Sequence, residues 1–545
     1  MDVLRVLVCI ALIVVSPINA AKELQASAVY LNGSVYTVDD NKPRAQAFAI
    51  ADKRFIAVGM NSEIDRYIGA KTTVVDLGGK MVIPGIHDAH THLLDAAFKF
   101  GGYSCVLPYP EVTPKEIISA LKQCMKTNPA RPGNWIKGGV LSDELFNSTE
   151  LQTLLNTEFP KTPIVLEDLT THHVLANISA RHAAGITEDT PDPSGGKLGR
   201  NDKGLLTGQL IELASELVYK VMPPYPEDEN TRALLWSISL NNRFGVTSVE
   251  GATVSRAELQ ALNKLDNKGE LTLRVFAYLL AGNSLRGSEE ENAQLISERN
   301  DFATAHIDVN NAKLMLDGAP LPPNSTHSMI DPSTNQIDQT HMLFEQDELE
   351  RLVVDLDSRG LKIKLHAAGT GSFRAALDAI EAARKKNGMT RLHDIAHAHF
   401  IHPADVDRIG PLGVVPELSP AMWHFNPPMN EHVPAWQFRT LADHDIMVVI
   451  GTDWLVDKQP NLFPALQGML QHGDEAVDLE TALHMMTING AISVGKEDEF
   501  GSITPGKSAD FAVLNQNLFQ VPVDKIRDTE VLMTVFEGGV VYEQK

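Results

Sequence analysis

The chain is 545 residues long and 43% hydrophobic, with 47 Lys plus Arg against 70 Asp plus Glu and a formal net charge of -23. That length can bury a large core and exceeds one minimal domain. The acidic balance argues against nucleic acid or an anionic membrane as partner and leaves a small-molecule substrate; a homo-oligomer is compatible with it.

Residues 1–20 read as an export signal: Arg5, an apolar run over 6–15, then Ser16-Pro17-Ile18-Asn19-Ala20 with a small residue at the expected cut. The run is shorter than the roughly 20 residues a bilayer span needs, so a signal peptide is favoured over an anchor, and the mature chain is expected to be exported, periplasmic or secreted. Removing the signal removes Cys9 and leaves Cys105 and Cys124, for which an oxidising compartment allows a disulfide without requiring one.

After the signal, residues 27–38 and 47–58 are short runs of Val, Ile, Phe and Tyr broken at Asn32-Gly33 and Asp52-Lys53, which predicts hairpins of a small sheet. Residues 500–503, 509–514 and 531–542 have the same character, so 21–84 and 500–545 together are expected to build one small β-sandwich domain. Between them apolar runs at 246–249, 273–278, 313–316, 363–365, 394–397, 414–415 and 447–450 alternate with helix-like segments such as 373–383. Strand then helix, repeated, predicts an α/β fold with a (β/α)8 TIM-like barrel over 85–499. The stretch 105–235 is longer than one β/α unit needs and is expected to hold an inserted α/β subdomain.

Functional residues of such a barrel sit where its strands end, so the polar residues closing these runs are candidate ligands. Pro84-Gly85 is followed at once by His90-Thr91-His92, and in extended chain two residues apart point the same way about 7 Å apart, close enough for two imidazoles to meet one cation. Lys313 lies in an otherwise apolar run, where an unpaired ammonium is costly. It reads as paired with Asp317 or another carboxylate, or as a carbamate bridging two metals. Lys364 shares a face with His366 and competes with Lys313 for that role. His366 ends one run and His397 and His399 end another; His366 with one of the latter two would complete a second metal site. Asp453 closes 446–450, where a carboxylate can bind metal and accept a proton from metal-activated water.

In that order, Pro84-Gly85, His90-x-His92, Lys313, His366, His397 and Asp453 resemble the amidohydrolase superfamily. Gly204-Leu205-Leu206-Thr207-Gly208, His366-Ala367-Ala368-Gly369 and the segment 501–510 resemble its amidohydrolase-3, or YtcJ-like, branch, with similarity from about residue 27 to the end. The resemblance implies that His90, His92 and Asp453 hold one divalent metal and His366 and His397 a second, with carbamylated Lys313 between them and zinc as the expected ion. It also implies that His172, with His173 adjacent, and Asn177 contact substrate. Trp423 and His424, after the 414–415 run, are further candidates for the pocket wall. Two departures bear on substrate contacts and ligand support: Thr370 stands where the branch has aspartate, and Ala396 where it has glutamate.

The expected function is hydrolysis of a non-peptide C–N bond (amide, N-acyl or N-formyl amine, or cyclic amide), with Asp453 as the catalytic base and then acid. The alternative is an exported binding or regulatory protein that keeps the fold without the chemistry. Its discriminating feature would be loss of a ligand residue, and none is missing.

Overall fold

The structure is a computed structural model that describes residues 25–108, 112–127, 132–168, 171–282, 287–320, 325–420 and 435–545. The export-signal reading therefore lies outside the described residues, as do Trp423 and His424. No helix among the described residues is long and apolar enough to cross a membrane.

Eight strands form the central sheet, each parallel to its neighbour: β1 (Ile86–Thr91), β2 (Val246–Gly251), β3 (Arg274–Leu280), β4 (Ile307–Met315), β5 (Lys362–Ala367), β6 (His393–His397), β7 (Val414–Leu418) and β8 (Val449–Ile450). Closure between first and last comes from a parallel bridge of Thr91 with Trp454 and from the Asp453 N–H donating to the His90 carbonyl at 2.8 Å. These strands read as near-continuous buried runs because a barrel strand is covered on both faces. In β5, Ile363, Leu365 and Ala367 join the apolar layer under the helices, while Lys362, Lys364 and His366 alternate to the other face. Helices such as Thr370–Asn387 lay Phe373, Leu377 and Ile380 on that layer at helical spacing.

The barrel interior is polar. Lys364 ion-pairs with Glu417 and, at 3.0 Å, with Glu250; Lys362 reaches Asp394 at 2.5 Å, and the Tyr278 hydroxyl donates to Asp394 at 2.9 Å. The charges of Lys362, Lys364, Glu250, Glu417 and Asp394 persist there because each meets an opposite charge.

Both ends of the chain feed one six-stranded sheet, in which Met81–Pro84 pairs antiparallel with Phe511–Leu514. A four-stranded sheet packs on it through Tyr30, Phe48, Phe55 and Phe511. Asp52 and Lys53, both at positive φ, close the expected hairpin between Ala47–Ala51 and Arg54–Gly59. Asn32-Gly33 differs from expectation: Ala28–Leu31 belongs to one sheet and Ser34–Tyr36 to the other, so this turn crosses the sandwich instead of making a hairpin.

Between β1 and the helix Glu227–Arg243, the chain makes a further six-stranded mixed sheet that includes Cys105–Val106, Ile164–Asp168, Val174–Ala176 and Leu206–Glu212. Cys105 and Cys124 are joined by a disulfide with Cα atoms 5.7 Å apart, fastening helix Pro114–Thr127 to the first strand of this sheet.

Candidate metal centre

At the carboxyl ends of the barrel strands, ligand atoms of His90, His92 and Asp453 all lie within 4.8 Å of one another. The nearer Asp453 oxygen is 3.7 Å from His90 Nε2 and 3.4 Å from His92 Nε2. Both rings are turned by their other nitrogen: His90 Nδ1 meets Glu417 Oε1 at 2.5 Å and His92 Nδ1 meets Thr253 Oγ1 at 2.9 Å. A bond at Nδ1 fixes the ring's orientation and turns Nε2 toward the Asp453 carboxylate. Glu417 gives its second oxygen to Lys364, tying the interior ion cluster directly to His90.

Asp453 comes to this point because β8 ends in Gly451, where a Cβ would stand 2.5 Å from the His90 backbone nitrogen. Thr452 then donates from its N–H at 2.9 Å and its hydroxyl at 2.5 Å to Asp88. Asp453 itself has φ 47°, and His397 φ 67°, both in the left-handed region that non-glycine residues rarely occupy. Such costly backbone at strand ends is a mark of functional sites.

Next to this trio, the His397 ring lies 4.7 Å from His90 and 4.5 Å from His366 between centroids, with His397 Nδ1 3.9 Å from Asp453 and 3.3 Å from Ser419 Oγ. Burial pushes the His90, His366 and His397 imidazoles well below their ordinary pKa, so they are neutral and their lone pairs available. Burial alone would raise the Asp453 carboxyl, but His90, His92 and Lys313 around it hold it below its usual range and ionised.

The two lysines separate clearly. They are register partners on β4 and β5, yet Lys364 is enclosed by Glu250, Glu417 and Asp394, whereas the buried Lys313 Nζ has no hydrogen-bond partner among the described residues. Lys313 lines the cavity together with His90, His92, His366, His397 and Asp453. Burial lowers its pKa to about 8. Asp317 is not its partner: that carboxylate accepts from the N–H groups of Ser328, Ala368 and Gly369 and from the Ser372 hydroxyl, bracing the turn after His366. This lysine faces the same cavity as the neutral imidazoles of His90, His366 and His397. His399 is buried behind His397, its ring stacked on it at 5.6 Å, and does not line the cavity with the others.

The expected substrate contacts divide. His172 lines the cavity, with its ring 5.7 Å from His366. His173 faces away into the inserted sheet, 1% exposed, with its Nδ1 accepting from the Glu212 N–H at 3.3 Å. Asn177 is corrected to a structural residue: it caps helix Ile178–Ala183 by accepting from Ala180 N–H, also accepts from Ile164 N–H, and donates to the Phe159 and Thr162 carbonyls. Local backbone groups use its whole amide, so no part of it is offered to a substrate.

Glu417, Thr253 and Glu212 were not legible from the sequence. Glu417 follows Pro416, which cut the apolar run short at Val415, although Glu417 is a polar residue near a strand end like the ligands themselves.

An uncharacterized metal-dependent hydrolase from Pyrococcus horikoshii OT3 shares the fold, with a TM-score of 0.69 over 91% of this chain and 99% of that one at 20% identity. The N-substituted formamide deformylase of Arthrobacter pascens is 26% identical over 94% of this chain and 98% of its own length. YtcJ of Bacillus subtilis is 25% identical over 95% and 99% respectively. A sequence model of the amidohydrolase family matches residues 73–542, and the chain belongs to that family, in its amidohydrolase-3 branch.

Proposed function

We propose that this protein is a metal-dependent hydrolase of a non-peptide C–N bond and that N-substituted formamides are its substrate class, the class in the name of its Arthrobacter relative. The observation that carries the reading is the convergence of His90, His92 and Asp453 within 4.8 Å, with both Nε2 atoms turned to the carboxylate. Two imidazole nitrogens and a carboxylate oxygen suit zinc, and His366 and His397 would hold a second ion across a carbamylated Lys313. A divalent cation bound there supplies Lewis acidity, lowering the pKa of a water molecule and polarising the substrate carbonyl.

The chain's own groups do the rest. Asp453, ionised and in reach of both histidine sets, accepts the proton as the water oxygen bonds to the carbonyl carbon. It then delivers that proton to the nitrogen as the C–N bond breaks, so formate and amine leave and the carboxylate is restored. Leu280, Met315, Leu455 and Val456 add apolar lining to the cavity, which suits an uncharged N-substituent. Export through the signal at residues 1–20 is part of this reading and would place the reaction outside the cytoplasm.

The test is formate release from N-butylformamide and N-phenethylformamide by the zinc-loaded protein. Turnover that falls by about 10²- to 10⁴-fold in Asp453→Asn supports the reading. Metal-loaded protein that releases no formate from either compound overturns the substrate class.

A further inference from the structure

We propose that a second cavity, on the far side of Tyr219 from the candidate metal centre, binds an uncharged aryl group carried on the substrate nitrogen. The proposal rests on the hydrolytic reading of the first cavity and names the substituent that its substrates carry. The metal cavity encloses about 80 Å³. Small-molecule sites usually offer about 300–1,000 Å³, so it has room for the reacting carbonyl and little more. The second cavity adds about 380 Å³ beside it.

The two cavities share a wall along several parts of the chain. Tyr219 lines both. His92, Ser215 and Thr253 line the first, while Leu94, Glu216 and Ser255, one or two positions further on, line the second. Segments that follow β1, the inserted strand Leu206–Glu212 and β2 therefore each run from one cavity to the other.

The second cavity is walled by rings that are already packed. Phe98 and Tyr225, both in its lining, stack with centroids 4.3 Å apart, and Tyr103 meets them edge-on at 5.3 and 5.5 Å. The Tyr225 hydroxyl donates to the Tyr103 carbonyl at 3.1 Å. Tyr219 is held too: its hydroxyl donates to the buried Glu167 at 2.9 Å, and Lys137, paired with the same carboxylate at 2.6 Å, stands 5.3 Å from its ring centroid. A wall fixed in this way costs little to order when a further ring packs on it.

Charge selects the kind of ring. In the lining Asp95 and Glu216 balance Lys137 and Lys220, so no net charge favours an anionic or a cationic substituent over a neutral one. A third space, beyond Thr253 and Leu280, is lined by Arg256, Glu291, Asn292 and Gln294 and offers no aromatic ring among the described residues. An aryl group leaving the metal cavity therefore finds its matching surface past Tyr219.

The experiment measures kcat/KM for formate release from N-methylformamide and N-phenethylformamide by metal-loaded wild type, Ala257→Phe and Tyr225→Leu. Both positions line the second cavity and neither lines the first. Phenylalanine at 257 fills the space, and leucine at 225 removes a ring from its wall. A wild-type preference of at least about tenfold for the phenethyl substrate, falling by at least about fivefold in Ala257→Phe, supports the proposal. A smaller preference, or a smaller fall, overturns it. If Ala257→Phe does not fold, Tyr225→Leu carries the test, with a fall of at least about threefold expected and a smaller one overturning it. Should wild type cleave neither formamide, the substrate reading fails and calorimetry with 2-phenylethanol decides. Binding that weakens by at least about threefold in the folded variant upholds the aryl site; no binding, or a smaller change, overturns it.

Discussion

Replacing Lys364 by methionine is expected to destabilise the metal-free barrel by about 3–5 kcal/mol, while the same replacement at Lys313 leaves stability unchanged or raises it. The two side chains are neighbours in register, fully buried and chemically identical, so composition and exposure predict the same result for both. Their partners make the difference. Lys364 neutralises Glu417 and Glu250 directly and stands 3.9 Å from Asp394, so its removal strands buried carboxylates in a medium where each costs several kcal/mol uncompensated. Among the described residues Lys313 has no hydrogen-bonding partner to strand, and methionine removes a buried ammonium that makes no hydrogen bond while keeping the volume. At about 2 °C per kcal/mol for a domain of this size, Lys364→Met should lower the apparent Tm by about 6–10 °C. Lys313→Met should stay within about 2 °C of wild type. The assay is calorimetry on chelator-treated protein at neutral pH. Equal losses in the two variants would refute the assignment of Lys364 to structure and Lys313 to the cavity.

Asn177→Ala should cost about 1–2 kcal/mol, the loss of a helix cap, and leave KM for substrate unchanged; a raised KM in a variant with wild-type Tm would restore it to the pocket. Breaking the Cys105–Cys124 bridge with Cys124→Ser removes a cross-link spanning 19 residues and should cost about 3 kcal/mol, read as a lower melting temperature of the inserted sheet. His306 bridges Glu537 at 3.1 Å and Asp266 at 2.6 Å where the barrel meets the terminal sandwich. The Glu537 hydrogen bond raises the His306 pKa, so its contribution is full below about pH 6.5 and fades as pH rises through the raised value. Glu537, held down to about 2, contributes above its ordinary pKa and fades as pH falls toward that value. His306→Gln should therefore lower Tm more at pH 6 than at pH 9, and a deficit that is the same at both would remove His306 from the clamp.

The parts of the site that the sequence made legible are those where a local pattern coincides with a chemical need. His90-x-His92, His366, His397 and Asp453 each follow a buried apolar run, and a polar side chain at a strand's carboxyl end stands out against that background. The residues that support them do not stand out. Glu417 and Glu250 lie within strands, and the partners that neutralise or orient them are 53 to 327 positions away in the chain, so no spacing rule connects them. The competition between Lys313 and Lys364 could not be resolved from periodicity, because both alternate onto the cavity side and only the placement of Glu250 and Glu417 tells them apart. Asn177 erred in the opposite direction: its family position suggested a substrate contact, but an asparagine between strand Val174–Ala176 and helix Ile178–Ala183 is claimed by backbone groups first. Asn32-Gly33 has the sequence of a hairpin turn, and only the sheet assignment of Ser34–Tyr36 shows that the chain crosses between layers there.

Metal content per chain, measured by elemental analysis on wild type and Lys313→Ala purified without chelators and in bicarbonate, tests the hydrolase reading most directly. About two metal ions in wild type, falling to one or fewer in the variant, is the expected result for a lysine-bridged pair. Wild-type protein that holds no metal even after zinc is supplied would leave His90, His92 and Asp453 without the ion that their geometry is built to receive.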